Sequence, residues 1–229
     1  MLTMSRYRPL VLLGGSFDPI HNGHLWMAHE VNQEITTQGI QAEIKFLPTA
    51  GSPFKNTATS TKHRLAMLRQ ALRDTPFSID RTEVNSPPPT YTLDTLTLIR
   101  QRIGPDRPLI FVLGQDSFDS LPRWKGGYEL LEMAHLWVFP RIEHQEQAVL
   151  TLPDALLEKK ALTTEQLLKK PQGLLFIDEK TPPEISSTLI RQHLATSEQV
   201  KLLKKSLPTR VMGYNKSTKL YGFTSPYES

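Results

Sequence analysis

With 229 residues, the chain is long enough to bury a sizeable core in one domain, and its lack of cysteine excludes a disulfide scaffold, thiolate catalysis and cysteine-bound zinc. Lysine and arginine outnumber aspartate and glutamate by 27 to 23, and the net charge of +4 is scattered along the chain, which suits a small anionic ligand as well as it suits nucleic acid. No apolar run reaches signal-peptide or membrane-spanning length, so a cytoplasmic protein with no membrane partner is expected.

Short apolar runs flanked by glycine and proline predict strands over 10–14, 42–48, 77–80, 108–114, 135–139 and 174–178. Between them, residues 24–35, 61–72 and 91–103 place apolar side chains three and four apart, as amphipathic helices do. The alternation predicts an α/β fold, a doubly wound and mostly parallel sheet. Residues 141–172 are polar, with Lys159, Lys160, Lys169 and Lys170 around leucines, and are expected as a surface helical excursion. A small C-terminal helical part over 186–221 and a flexible tail over 222–229 complete a single domain spanning 1–229.

In an open parallel sheet, ligands bind beyond the carboxyl ends of the strands, where the strand order reverses. The unusual segments all follow strands: 14–24, 48–55, 85–92, 114–124, Arg141 and 178–191. Gly14 and Gly15 end the first strand, where glycine permits positive φ and close approach of a ligand to the backbone. Neither the G-x-G-x-x-G spacing nor the Gly-Lys-Ser/Thr of a P-loop is present. A helix beginning near Gly23 puts His24 in its first turn and His21 just ahead, where imidazoles and the helix dipole favour phosphate. Zinc is disfavoured, because no third ligand stands at motif spacing. Ser186 and Ser187 can cap a second helix, with Arg191 on the same face as Ser187 and Thr188. Two such cradles suggest nucleotidyl transfer. An attacking phosphate monoester, with a second pKa of about 6, is already ionised, so positioning and charge neutralisation carry the rate. No basic stripe interleaved with aromatics is present, so nucleic acid is not an expected partner.

The segment "GGSFDPIHNGHL" (14–25) together with "ISSTLIR" (185–191) resembles the nucleotidyltransferases of the HxGH class. Through "PTYTLDTL", "FVLGQDSFDSLPRW" and "LLEMAHLWVFPR", nearly the whole chain is similar to the bacterial nicotinate-nucleotide adenylyltransferases, which have a Rossmann-like nucleotidyltransferase fold. The resemblance implies transfer of AMP from ATP to nicotinate mononucleotide, giving nicotinic acid adenine dinucleotide and pyrophosphate in NAD biosynthesis. Mg²⁺ is implied as a bridge between ATP phosphate oxygens. His21, His24 and Arg191 are implied as catalytic groups, with Gly14, Gly15, Ser16 and Phe17 alongside them on ATP. Ser187, Thr188 and Arg191 are implied around the β- and γ-phosphates, and Gly114 and Asp116 at a ribose. Trp124 is implied as a stacking partner of the nicotinate ring, with the backbone near Tyr91 and Thr92 reading its carboxylate. Lys55 and Arg141 complete the implied mononucleotide side. One departure is Phe54, where the family usually has histidine; phenylalanine cannot hydrogen-bond a phosphate, which weakens the role of Lys55. Other acceptors, nicotinamide mononucleotide or phosphopantetheine, and a non-catalytic nucleotide-binding module stand as alternatives, and the sequence does not separate monomer from homo-oligomer.

Overall fold

The computed structural model describes residues 7–50, 59–141, 152–196 and 200–223. Seven parallel strands form one sheet: β1 (Leu10–Gly15), β2 (Glu43–Pro48), β3 (Ser78–Ile79), β4 (Leu109–Gly114), β5 (His135–Phe139), β6 (Lys160–Ala161) and β7 (Leu175–Ile177). Their order is β3-β2-β1-β4-β5-β7-β6, so the chain winds outward from β1 and then returns to its other side with β4. That reversal is the topological switch point. The β1 pairing to β4 ends at Leu13↔Val112, although β1 runs on to Gly15 and β4 to Gly114. The carboxyl ends of the two central strands therefore part and leave a crevice.

The strands read as unbroken apolar runs because both faces of the sheet are covered. Side chains alternate along each strand. Val11, Leu13, Ile110, Val112, Trp137 and Phe139 join one core, whereas Leu10, Leu12, Phe111, Leu113, Leu136 and Val138 join the other. The first core is closed by α1 (Asn22–Thr37), α2 (Thr61–Leu72), α7 (Ser187–Thr196), α8 (Val200–Ser206) and α9 (Thr209–Thr218). Ile190, Leu194, Leu203, Leu207 and Val211 lie in this core with Val11, so the C-terminal helices share the sheet's own interior. The second core is closed by α3 (Thr92–Ile103) and by 3₁₀ turns at 121–123 and 127–132. Arg100 of α3 staples this face: its guanidinium donates to the carbonyls of Met133, Gly104, Arg107 and Pro171 at 2.7 to 3.1 Å.

Three sequence expectations are corrected. The stretch 141–172 is not simply a surface helical excursion: beyond 151 it holds α5 (Asp154–Leu157), the edge strand β6 and α6 (Thr164–Leu168). Leu152, Leu156, Ala161, Leu167 and Leu168 are buried. Strand β6 is only two residues long and half exposed, too short for an apolar run to reveal it. The second correction concerns glycine. Neither Gly14 nor Gly15 has positive φ; the left-handed residue of this turn is Phe17, at φ 50. Gly14 is needed for space, since a Cβ there would lie 2.5 Å from the Phe111 ring. The third concerns the flexible tail expected over 222–229: Gly222 ends a 3₁₀ turn (Leu220–Gly222) and Phe223 packs against the first core, while 224–229 lie outside the described residues, as do Phe54 and Lys55.

Candidate active site

The segment from Ser16 to His21 joins β1 to α1 and is held by donors from three other parts of the chain. The buried guanidinium of Arg64, on α2, donates to the carbonyls of Ser16 and Thr49 at 2.7 Å each and to the Thr61 hydroxyl at 3.0 Å. Arg191 Nη1 donates to the Asp18 carbonyl at 2.7 Å, and the Ser187 hydroxyl to the Pro19 carbonyl at 2.9 Å. The Tyr221 hydroxyl donates to Asp18 Oδ1 at 2.6 Å. Burial, and then Asp18, raise the pKa of this phenol, so it stays a donor. Phe17 is buried beneath the loop, edge-on to His24 and Phe46 at 5.0 and 5.4 Å between ring centroids.

His21 is the N-cap of α1 and His24 is its third residue. The His21 backbone N–H donates to His24 Nδ1 at 3.3 Å. As an acceptor Nδ1 carries no proton, which leaves the ring hydrogen on Nε2 as the available donor. The two rings stack at 3.7 Å. Burial, followed by the charges of His24 and Arg141, holds the His21 pKa well below its usual value, so this ring is neutral near pH 7. No acidic residue occupies the first turn of α1, so the positive end of its dipole is uncompensated there.

At the start of α7 the Ser186 hydroxyl caps the helix by accepting from the Leu189 N–H at 3.2 Å. Arg191 Nη2 donates to the Thr188 hydroxyl at 3.2 Å. This second cradle is therefore bonded directly to the histidine loop, through Ser187 and Arg191, rather than standing apart from it.

These elements wall two adjoining clefts. One, of about 690 Å³, is lined by His21, His24, Gly114, Arg141, Thr188 and Arg191, among others. The other, of about 430 Å³, is lined by Glu83, Tyr91, Thr92, Phe111, Trp124 and Lys125, among others. Both include Gly14, Gly15, Ser16, Asp116 and Ser117. In the smaller cleft the Trp124 indole N–H donates to the Ser120 hydroxyl at 3.0 Å, which orients the ring. Tyr91 caps α3, and Lys125 bonds Asp94 at 2.8 Å while standing 5.2 Å over the Tyr91 ring.

Among the residues singled out from sequence, the structure gathers the histidines, the α7 residues, Gly114 and Arg141 in the larger cleft, and Tyr91, Thr92 and Trp124 in the smaller. Arg141 lines the histidine cleft and not the tryptophan cleft, and it pairs with Asp116 at 2.6 Å. Phe17 lines neither cleft; its buried side chain supports the loop. Sequence reasoning passed over Arg64, Tyr221, Ser120 and Glu83. Each is a single residue in an ordinary helix, turn or terminal segment, where no local pattern marks it. Among the described residues, no three His, Asp or Glu side chains group as metal ligands, and no helix is long and apolar enough to cross a membrane.

A cytidylyltransferase-like family profile matches residues 12–193. A protein of Hahella chejuensis named probable nicotinate-nucleotide adenylyltransferase is 39% identical over 96% of this chain and 98% of its own length. A similarly named protein of Pseudomonas syringae pv. tomato is 36% identical over 90% of each chain. Among solved structures, the nicotinic acid mononucleotide adenylyltransferase of Plasmodium falciparum complexed with NaAD superposes with a TM-score of 0.72. It covers 95% of this chain and 99% of that one at 20% identity, a likeness of fold.

Proposed function

The chain belongs to the nicotinate-nucleotide adenylyltransferases of the cytidylyltransferase-like family, and we propose that its two clefts hold the two substrates of that reaction, ATP beside the histidines and nicotinate mononucleotide beside Trp124. The observation that carries this assignment is the wall the clefts share at Gly14, Gly15, Ser16 and Asp116. Two ligands meeting there bring a phosphate of one against the α-phosphate of the other. A 5′-phosphate oxygen of the mononucleotide attacks the α-phosphorus of ATP, the bond to the bridging oxygen of the β-phosphate breaks, and pyrophosphate leaves. The products are nicotinic acid adenine dinucleotide and pyrophosphate.

The attacking phosphate is largely ionised at neutral pH, with a second pKa of about 6, so the protein's task is placement and charge stabilisation. His24 supplies Nε2–H to the α-phosphate as charge grows on it. The free amides at the start of α1 and α7, with the Thr188 hydroxyl and Arg191, hold the triphosphate. Trp124 stacks on the pyridine ring, and the free amides at the α3 N-terminus receive its carboxylate. Mg²⁺, when bound, neutralises triphosphate oxygens. The larger cleft suits a cation that arrives on ATP, because Asp18 and Asp116 are already bonded to Tyr221 and Arg141. Use of ATP favours a cytoplasmic setting.

The test is pyrophosphate release from ATP and Mg²⁺ with nicotinate mononucleotide, nicotinamide mononucleotide and phosphopantetheine offered in parallel. Strong preference for the nicotinate form is expected. Release with phosphopantetheine, or with none of the three, overturns the assignment.

A further inference from the structure

The tryptophan cleft contains a buried carboxyl that the reaction just described does not use. Glu83 lies in the turn after β3 and is only 3% exposed, yet it lines the cleft beside Thr90, Tyr91 and Thr92. The Thr90 hydroxyl lies 3.2 Å from its Oε2, and its side chain also bonds Thr95 in the first turn of α3. The carboxyl is thus joined on both sides to the helix start that presents the amides of Thr92, Leu93 and Asp94, which have no intrahelical partner. The charged groups bearing on it are Arg64 of α2, which favours its ionised form, and Asp80 at the end of β3, which opposes it. Arg123, Lys125 and Asp116 line the same cleft, and Lys125 is paired with Asp94.

A nicotinate carboxylate bound at these amides shares a cleft of about 430 Å³ with Glu83. Two ionised carboxylates there repel each other, whereas a protonated Glu83 is neutral and can donate. The ring nitrogen carries the same pyridinium charge in both mononucleotides and cancels between them, whereas the nicotinamide form has no carboxylate to be repelled. We propose that Glu83 is a specificity-determining residue for the acceptor: its protonated form admits the acid mononucleotide, and its ionised form selects against the acid without penalising the amide. The inference rests on the assignment of the Trp124 cleft to the pyridine ring. Burial supports it by raising the Glu83 carboxyl to about 7, so both forms are populated at neutral pH.

The experiment measures kcat/KM for nicotinate and nicotinamide mononucleotide between about pH 5.5 and about pH 8.5, and takes their ratio. Where amide turnover is too slow, its Ki as a competitor replaces kcat/KM. Both acceptors carry the same phosphate, with a second pKa of about 6, so its titration cancels. In the wild type the acid-to-amide ratio is expected to fall on the order of tenfold across this range. In Glu83→Gln, which keeps partners for both threonines, the ratio is expected to be flat and close to the wild-type value at low pH. A flat wild-type ratio overturns the inference, and so does a Glu83→Gln ratio that keeps the wild-type slope. Trp124→Ala, run in parallel, separates the two levels of the argument. If it raises KM for both mononucleotides, the cleft assignment stands and a retained slope removes Glu83 alone; if it changes neither, both fall.

Discussion

Arg64→Met tests whether the histidine loop is held from beneath. The arginine is fully buried, and its guanidinium donates to the Ser16 and Thr49 carbonyls at 2.7 Å each. Hydrogen bonds from a charged donor contribute about 1.5–3 kcal/mol apiece, so two of them amount to about 3–6 kcal/mol. Removing a buried cation recovers part of its desolvation cost, which burial shows by lowering the Arg64 pKa; allowing about 1–2 kcal/mol for that leaves a loss of about 2–4 kcal/mol. For a chain of this size, such a loss lowers Tm by roughly 4–16 °C. The catalytic effect follows from peptide geometry. A planar trans peptide aims its N–H opposite to its C=O, so Arg64 holding the Ser16 carbonyl also sets the direction of the Phe17 N–H. Ser16 lines both clefts, and a displacement of about 1 Å there costs on the order of 100-fold in turnover. Urea unfolding and steady-state pyrophosphate release are the assays, with Arg64→Lys expected between the two because an ammonium lacks the fork that reaches two carbonyls. An Arg64→Met protein that unfolds at the wild-type midpoint and turns over at the wild-type rate would refute the reasoning.

His24→Ala is expected to lower kcat by on the order of 100- to 1,000-fold, the usual effect of removing a donor aimed at developing charge. KM for the mononucleotide should move little, and wild-type turnover in this variant removes the role given to Nε2–H. His135 gives a pH test of the fold. Its Nδ1 accepts from the Leu174 N–H at 3.1 Å and its Nε2 lies 2.9 Å from the Lys170 carbonyl, so the buried ring is neutral. Burial lowers its pKa from 6.5 to about 4. Between those values the unfolded chain binds a proton that the native state does not. Stability is therefore lost as pH falls from 6.5 towards 4, by about 2 kcal/mol between pH 7 and pH 5. Urea midpoints at the two pH values should separate less in His135→Gln than in the wild type; equal separation counts against the assignment.

The central strands were legible because a strand buried on both faces must be apolar at every position, which Leu10–Leu13 and Leu109–Leu113 are. Strand β6 was not, because Lys160 is exposed and only Ala161 faces a core. An edge strand of that kind carries no apolar run of its own. The histidine loop and the start of α7 were visible as local patterns, since helix caps and their neighbours are set by residues a few positions apart. Arg64 and Glu83 act across the fold, one from α2 on a carbonyl 48 positions away and the other on the start of α3. Their partners are backbone atoms or common hydroxyls, so neither leaves a pattern at short range. Arg141 shows the same limit from the other side: the end of β5 places it at the sheet rim, but only the folded arrangement, in which it lines the histidine cleft alone, shows which cleft it faces.

The way the loop is held also bears on how the site meets its ligands. The carbonyls of Ser16, Asp18 and Pro19 accept from Arg64, Arg191 and Ser187 respectively, so α2 and α7 grip one short segment from both sides. Under the proposed assignment Ser187 and Arg191 serve twice, in the phosphate cradle and as supports for the loop that carries His21 and His24. The donors proposed for the triphosphate are consequently tied to one another by bonds within the protein. This is the condition under which electrostatic stabilisation needs no reorganisation at the moment of reaction. It also means that substitutions at Ser187 and Arg191 act at once on phosphate contacts and on loop geometry. Their effects and those of His24→Ala should therefore be non-additive, a coupling that a double-mutant cycle reads directly.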